Sequence, residues 1–209
     1  MSRLRRVAGA AVVATLCAIH PATQSHAQTQ AQPPVGALIT DAVVADLRKA
    51  MTSPVAVLLV RAQNARHKGL SQERIDALDK QWRAELKSEA QPLVAQLYGN
   101  PLSAHLTRLQ ADSDGLYTEI FVMDSVGLNV GQSAVTSDYW QGDEGKWQKT
   151  FQVGPDAVFI DDPEMHEGTK TWRVQVNLSI ADPDTGAAIG AATVEVNLSE
   201  LARRQGASL

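Results

Sequence analysis

The pattern of apolar and polar positions changes period once along the chain. From Gly36 to about Gln110, apolar residues recur at three- and four-residue steps, the spacing of one helix face. Leu38, Ile39, Ala42, Val43 and Leu47 make the first stripe. Ser53-Pro54 marks either a kink or a new start, because proline cannot donate an N–H and suits a first helical turn. The apolar stretch resumes at Val55–Val60, runs to about Arg66 and is closed by Lys68-Gly69. Ser71 is the N-cap expected for the next helix, with Glu73 in its first turn, where the helix dipole favours an anion. Its predicted buried face is Ile75, Leu78, Trp82 and Leu86. Leu93, Val94, Leu97 and Tyr98 form a short turn closed by Gly99-Asn100, and Pro101 opens a helix through Leu102, Leu106 and Leu109.

From Leu116 the period is two. Thr118, Ile120 and Val122 alternate with Tyr117, Glu119, Phe121 and Met123, which predicts a strand. Asp124-Ser-Val-Gly127 is a turn, and Leu128–Val135 returns as a second strand. Three more strands are expected over Ala157–Asp161, Thr171–Ile180 and Ala188–Leu198. Asp182-Pro-Asp-Thr-Gly186 supplies hairpin chemistry between the last two. Helices first and sequential antiparallel strands second define an α+β fold. There is no internal repeat.

The ends of this pattern suggest where the protein works. Residues 1–27 read as a secretory leader: Arg3, Arg5 and Arg6, an uncharged apolar run over Val7–Ile19, and Ser25-His26-Ala27 before the expected cleavage. The run is shorter than the roughly 20 residues that span a bilayer. Cys17, the only cysteine, lies inside this leader. The mature chain would then have no disulfide, thiolate metal site or cysteine nucleophile. Removing the three leader arginines leaves 16 basic residues against 23 acidic ones, a net charge of −7. No Lys/Arg run remains, which argues against nucleic acid and anionic membrane surfaces as partners. The expected organisation is a signal peptide over 1–27, a polar Pro-containing linker over 28–35, one domain over 36–202 and a tail over 203–209.

Composition then singles out 136–151. Tyr139, Trp140, Trp147 and Phe151 fall there, out of ten aromatic residues in the chain, beside Asp138, Asp143, Glu144 and two glycines. Rings, acids and flexible backbone are what a small-molecule pocket needs. The plainer reading is a surface loop pinned to the core by its tryptophans.

The order of elements resembles the extracytoplasmic PAS-like sensor domains called Cache or PDC domains. The residues that carry the resemblance are Ile120-Phe-Val-Met-Asp124 with Gly127, Asp138-Tyr-Trp140, Trp147, and Ile189-Gly190-Ala followed by Val194-Glu-Val196. It covers about residues 36–202. It implies a long N-terminal helix and short helices followed by a PAS-like antiparallel five-stranded sheet. In that family a small ligand lies between the sheet and its covering segment, and binding is relayed to a kinase, cyclase or chemoreceptor module. The N-terminal helix lies outside the sheet and would serve a homodimer or a partner contact. Amino-acid-binding members often carry Arg-x-Trp in the cover, where this chain has Gly145-Lys146-Trp147. Lysine lacks the planar fork, which puts carboxylate recognition at that position in doubt.

On this reading Tyr139, Trp140 and Trp147 wall a pocket, and Asp143 or Glu144 orients a cationic or hydroxylated group. The strand Thr171–Ile180 adds Arg173 and Gln175 from its polar face, if that face turns to the cavity and not to water. Asp112-x-Asp114-Gly and Asp182-x-Asp184-x-Gly186 open like calcium loops but lack the downstream bidentate Glu, and turn chemistry explains both. Asp161–Glu167 gathers carboxylates around His166 and reads as an acidic, mobile loop. No hydrolase, zincin, phosphate-loop or dinucleotide motif occurs. The expectation is therefore a soluble periplasmic small-molecule-binding module, not an enzyme, with no cofactor. The chain ends within eight residues of Leu201, so output would come from a partner such as a membrane sensor kinase or chemoreceptor. The alternatives are a structural or interaction protein with a filled pocket, and a periplasmic hydrolase.

Overall fold

Two residues with extended backbone divide the predicted first helix. Thr40 (ψ 166°) caps the N-terminus of the segment that follows, its hydroxyl accepting from Val43 N. Ser53 (ψ 151°) precedes Pro54, whose ring pushes the preceding residue out of the helical region. The stretch accordingly forms α1 (Val35–Leu38), α2 (Asp41–Met51) and α3 (Pro54–His67). The protein is described here by a computed structural model over residues 32–207. The leader read over 1–27 and the start of the linker lie outside the described residues. Ser71 does cap α4 (Gln72–Glu85), accepting from Arg74 N. Prolines then open α5 (Pro92–Tyr98) and α6 (Pro101–Asp112). Among the described residues no helix is long and apolar enough to cross a membrane.

The second half is a single antiparallel sheet. Its strands are β1 (Tyr117–Met123), β2 (Asn129–Gln132), β3 (Val158–Ile160), β4 (Glu164–His166), β5 (Thr171–Ala181) and β6 (Ala188–Asn197). The order is β2-β1-β6-β5-β3, with β4 also pairing β5. β3 faces Val176–Leu178 and β4 faces Thr171–Arg173, so the two short strands occupy one edge position in sequence. The sheet therefore has the five positions of a PAS-like sheet, with its edge strand in two pieces. Residues 164–166 thus belong to a strand, because their backbone pairs with the start of β5 and not with water.

The C-terminus also departs from the expectation. Leu198 begins a helix, α8 (Leu198–Gln205), instead of ending a strand, and the expected boundary at 202 falls inside it. The Asn197 side chain caps α8 by accepting from Glu200 N, and Gly206 closes it in the left-handed conformation (φ 69°).

Alternation along the strands separates two environments. Ile120, Val122, Val174, Val176, Leu178, Val194 and Val196 pack on α2, α3, α6 and α8 through Leu47, Met51, Val60, Leu102, Leu106 and Leu198. This is the main core. On the other face Phe121, Met123 and Ala191 meet Trp147 from the segment that crosses the sheet. A third, smaller cluster joins Ile75 and Trp82 of α4, Val94 and Leu97 of α5, Leu128 and Tyr139.

Gly190 fixes the approach of β6 to β1. A Cβ there would lie 2.2 Å from Met123 O. Only glycine fits that contact.

Candidate functional site

The polar face of the central strands lies beneath the 136–151 segment. Cross-strand register places Glu119 of β1, Glu195 of β6 and Gln175 of β5 in one row. The next row is Phe121, Thr193 and Asn177. Residues 136–151 cover these rows, and α7 (Gly145–Gln148) forms one turn within them. Between sheet and cover lies a cavity of about 130 Å³, lined by Glu119, Phe121, Asp138, Gln141, Lys146 and Gln175 among others. A neighbouring cavity of about 110 Å³ shares Gln175 and adds Arg173, Glu195, Asp161, Asp162 and Glu164.

The cover is held by contacts that its sequence specifies. Asp79 of α4 accepts from the backbone N–H groups of Tyr139 and Trp140. Trp82 Nε1 donates to Thr136 O at 3.0 Å. Gly127 (φ +84°) lets the Asp124 turn close against Gly142, since a Cβ there would lie 2.5 Å from Gly142 Cα. Asp124 itself is buried. It accepts from Val126 N, Leu128 N, Gln63 Nε2 and stands 2.7 Å from His67 Nδ1, which ties α3 to the turn.

Electrostatics in the cavity are dominated by carboxylates. Arg173 Nη1 donates to Glu195 Oε2 at 2.9 Å, and Thr118 Oγ1 bonds the same oxygen. Lys146 Nζ pairs with Glu144 at 2.8 Å and lies 5.5 Å from the centre of the Phe121 ring. Glu119 has no ion pair among the described residues. Burial first, and then the facing Glu195, push its carboxyl up to about 7, while Lys146 draws it partly back. Two lining residues each hold a buried polar atom that makes no hydrogen bond: Gln141 Oε1 and Arg173 Nε. Gln141 is oriented by Asp138, whose backbone O and Oδ1 both accept from its Nε2, so its free atom is the carbonyl acceptor.

The six residues expected at the site are distributed unevenly. Arg173 and Gln175 line these cavities, so the polar face of β5 turns toward the cover and not to open water. Trp147 is buried against Phe121 and Met123, stacks on Phe151 at 5.1 Å and donates from Nε1 to Asp124 O. Trp140 braces the two turns, its Nε1 donating to Val126 O at 2.8 Å and its ring seated on Gly142. Tyr139 points to the opposite side of the cover, stacked on Trp82 at 5.4 Å. Asp143 is exposed and lines neither cavity.

Glu119, Glu195, Asp138, Gln141 and Lys146 complete the site; Asp138 and Lys146 stood out in the sequence without being assigned to it, and the other three did not stand out. The signal for two of them was present: Glu119 and Glu195 are the charged residues of two largely apolar strands. Such positions are costly unless the charge faces water or a partner.

No family model matches the sequence, and no curated protein matches it. Several solved structures are similar in fold. The sensory domain of the Campylobacter jejuni chemoreceptor Tlp3 is 14% identical, with 78% of this chain and 65% of that one aligned at a TM-score of 0.38. The ligand-binding domain of the Pseudomonas aeruginosa amino acid chemoreceptor PctC, in complex with GABA, is 11% identical over 78% and 63% at 0.35. The sensor domain of the Vibrio cholerae histidine kinase DctB is 12% identical over 78% and 58% at 0.34. The chain spans less than two thirds of the length of each of these. The likeness to all three is one of fold.

Proposed function

We propose that this domain is a small-molecule-binding sensor module that works outside the cytoplasm and takes an amine-bearing solute between the polar face of its sheet and the 136–151 cover. Its ligand state would be relayed to a partner, a membrane sensor kinase or a chemoreceptor. The observation that carries this reading is the half-buried Glu119 carboxyl, without an ion pair among the described residues, on the lining of the same cavity as Gln141 and Asp138. Glu119 and the unpartnered Gln141 carbonyl are acceptors, and the surrounding acids outnumber Lys146 and Arg173, which already have partners. A protonated amine satisfies that arrangement with charge-assisted hydrogen bonds. Arg173 Nε, also without a partner, asks for an acceptor at the far end of the solute. In this proposal Gln175 contacts the solute, Trp147 and Trp140 shape the cavity, and Tyr139 and Asp143 stand apart from it.

The test is a thermal-shift screen of amino alcohols, diamines, amino acids and carboxylic acids. A saturable ligand should stabilise the protein by about 2.7 kcal/mol at a hundredfold excess over Kd. Amines should shift the transition and simple carboxylates should not act at this site. Glu119→Gln should abolish the amine response. A response retained in Glu119→Gln would refute the assignment, and the absence of any amine response would favour a structural protein with a filled pocket.

A further inference from the structure

A second cavity, of about 120 Å³, opens on the other side of the cover, among α3, α5 and β2. Leu59 of α3, Leu93 and Leu97 of α5, and Val130 of β2 make one part of its wall, and Gln96 and Asn100 add polar groups. Three more polar side chains, Tyr139, Gln63 and Arg66, complete the lining. Tyr139 is buried at 6% exposure, yet its hydroxyl makes no hydrogen bond among the described residues. Gln63 is buried too, and its Nε2 is committed to Asp124 Oδ2 at 3.0 Å and Asn129 O at 3.1 Å, leaving its Oε1. Arg66 is the single charged residue of the lining and forms no ion pair among the described residues.

The Tyr139 hydroxyl, on the cavity lining, is therefore free to donate to what the cavity holds. Here it shares a cavity with four apolar side chains and the exposed Arg66 guanidinium. The nearby Asp124 does not claim that guanidinium, because its two oxygens are occupied by two backbone N–H groups, Gln63 and His67.

We propose that this cavity is a second binding site, specific for a short-chain carboxylate. Its carboxylate accepts from Arg66 and the Tyr139 hydroxyl, and its carbon chain lies on Leu59, Leu93, Leu97 and Val130. The charge preference is the reverse of that beneath the cover. The two sites share no lining residue, so this inference does not rest on the amine site.

The experiment is an NMR titration of the full-length protein with propionate and butyrate at constant ionic strength, with chloride and sulfate as controls. The Trp82 indole N–H is the reporter, since its ring stacks on Tyr139. Butyrate should shift it saturably and bind more tightly than propionate. Arg66→Gln should weaken butyrate by at least about tenfold, the scale of a lost charge-assisted hydrogen bond. Arg66 is exposed, so this variant should melt within about 2 °C of the parent. Tyr139→Phe keeps the stacked ring and should weaken binding severalfold, whereas Glu119→Gln should leave it unchanged. Unaltered butyrate affinity in Arg66→Gln, no saturation, or an equal response to sulfate would each overturn the proposal.

Discussion

Glu119→Gln probes the central cavity through its protonation. The Glu119 carboxyl sits at about 7 in the folded protein against an ordinary 4.5, first because it is buried and then because Glu195 faces it. An acid whose folded value is raised holds its proton more tightly in the native state than in the unfolded one. Stability from this residue is therefore greatest below about 4.5, declines as pH rises, and is fully lost above about 7. The separation corresponds to about 3 kcal/mol at most. Partial exposure lets water screen the charge, which brings the expected figure nearer about 2 kcal/mol. Glutamine keeps the shape and removes the charge. The variant should therefore be about 2 kcal/mol more stable than the parent at pH 8, or roughly 5 °C in Tm for a domain of this size. At pH 4.5 the two should unfold together. Urea unfolding at both pH values measures the difference. A variant no more stable at pH 8, or a gain of the same size at both pH values, would refute the reasoning. The same carboxyl should make amine binding pH-dependent. Pairing with a cation fixes Glu119 ionised, so affinity should rise by up to about tenfold per pH unit toward 7 and then level off. Calorimetry in buffers of different ionisation enthalpy should register the released proton.

Three further outcomes follow from the packing. Trp147→Ala should cost about 3–5 kcal/mol, read by urea unfolding, because it empties the space beside Phe121 and Met123 and leaves Asp124 O without its indole donor. Any loss of binding in that variant must be judged against its stability. Gly190→Ala should lower stability by about 1–3 kcal/mol or more, since the new Cβ would be driven against Met123 O at 2.2 Å. Arg61 pairs with Asp182 in the β5–β6 hairpin and holds that carboxyl at about 2, below its ordinary 3.8. This stabilisation is present above about 3.8 and is lost as pH falls through about 2, so Arg61→Leu should raise the pH midpoint of acid unfolding measured by circular dichroism.

Local periodicity made most of the elements legible. The change of period at Leu116, the Ser71 cap and the prolines at 54 and 101 are signals written within a few neighbouring residues, and each opens or closes an element in the structure, whereas the turn expected over 93–98 is the helix α5 opened by Pro92. β4 was not legible, because Glu164-Met-His166 has no strand pattern of its own and becomes a strand only by pairing with β5. α8 was masked by Val194–Leu198, whose alternation runs directly into the Asn197 cap. For the site, Arg173 and Gln175 could be found because one strand face is polar throughout. Trp147 could be found as unusual, but composition does not say which way an indole points. Glu119 and Gln141 depend on register and on the fold of the cover. Both are long-range facts, set by pairings between strands more than seventy residues apart in sequence.

The small apolar cluster of Ile75, Trp82, Val94, Leu97, Leu128 and Tyr139 stands apart from the main core. Its consequence is kinetic. α4, α5 and the cover form a unit that can open while β1, β5 and β6 stay paired, because its apolar contacts are few beside those of the main core and amide exchange follows such local free energies. On the proposed function, such an opening would let a solute reach Glu119 with the sheet intact. A solute bound beneath the cover would raise the cost of that opening and slow exchange in α4 and α5 more than in β5 and β6. The small helices would then be the wall that yields, and the sheet the floor that does not.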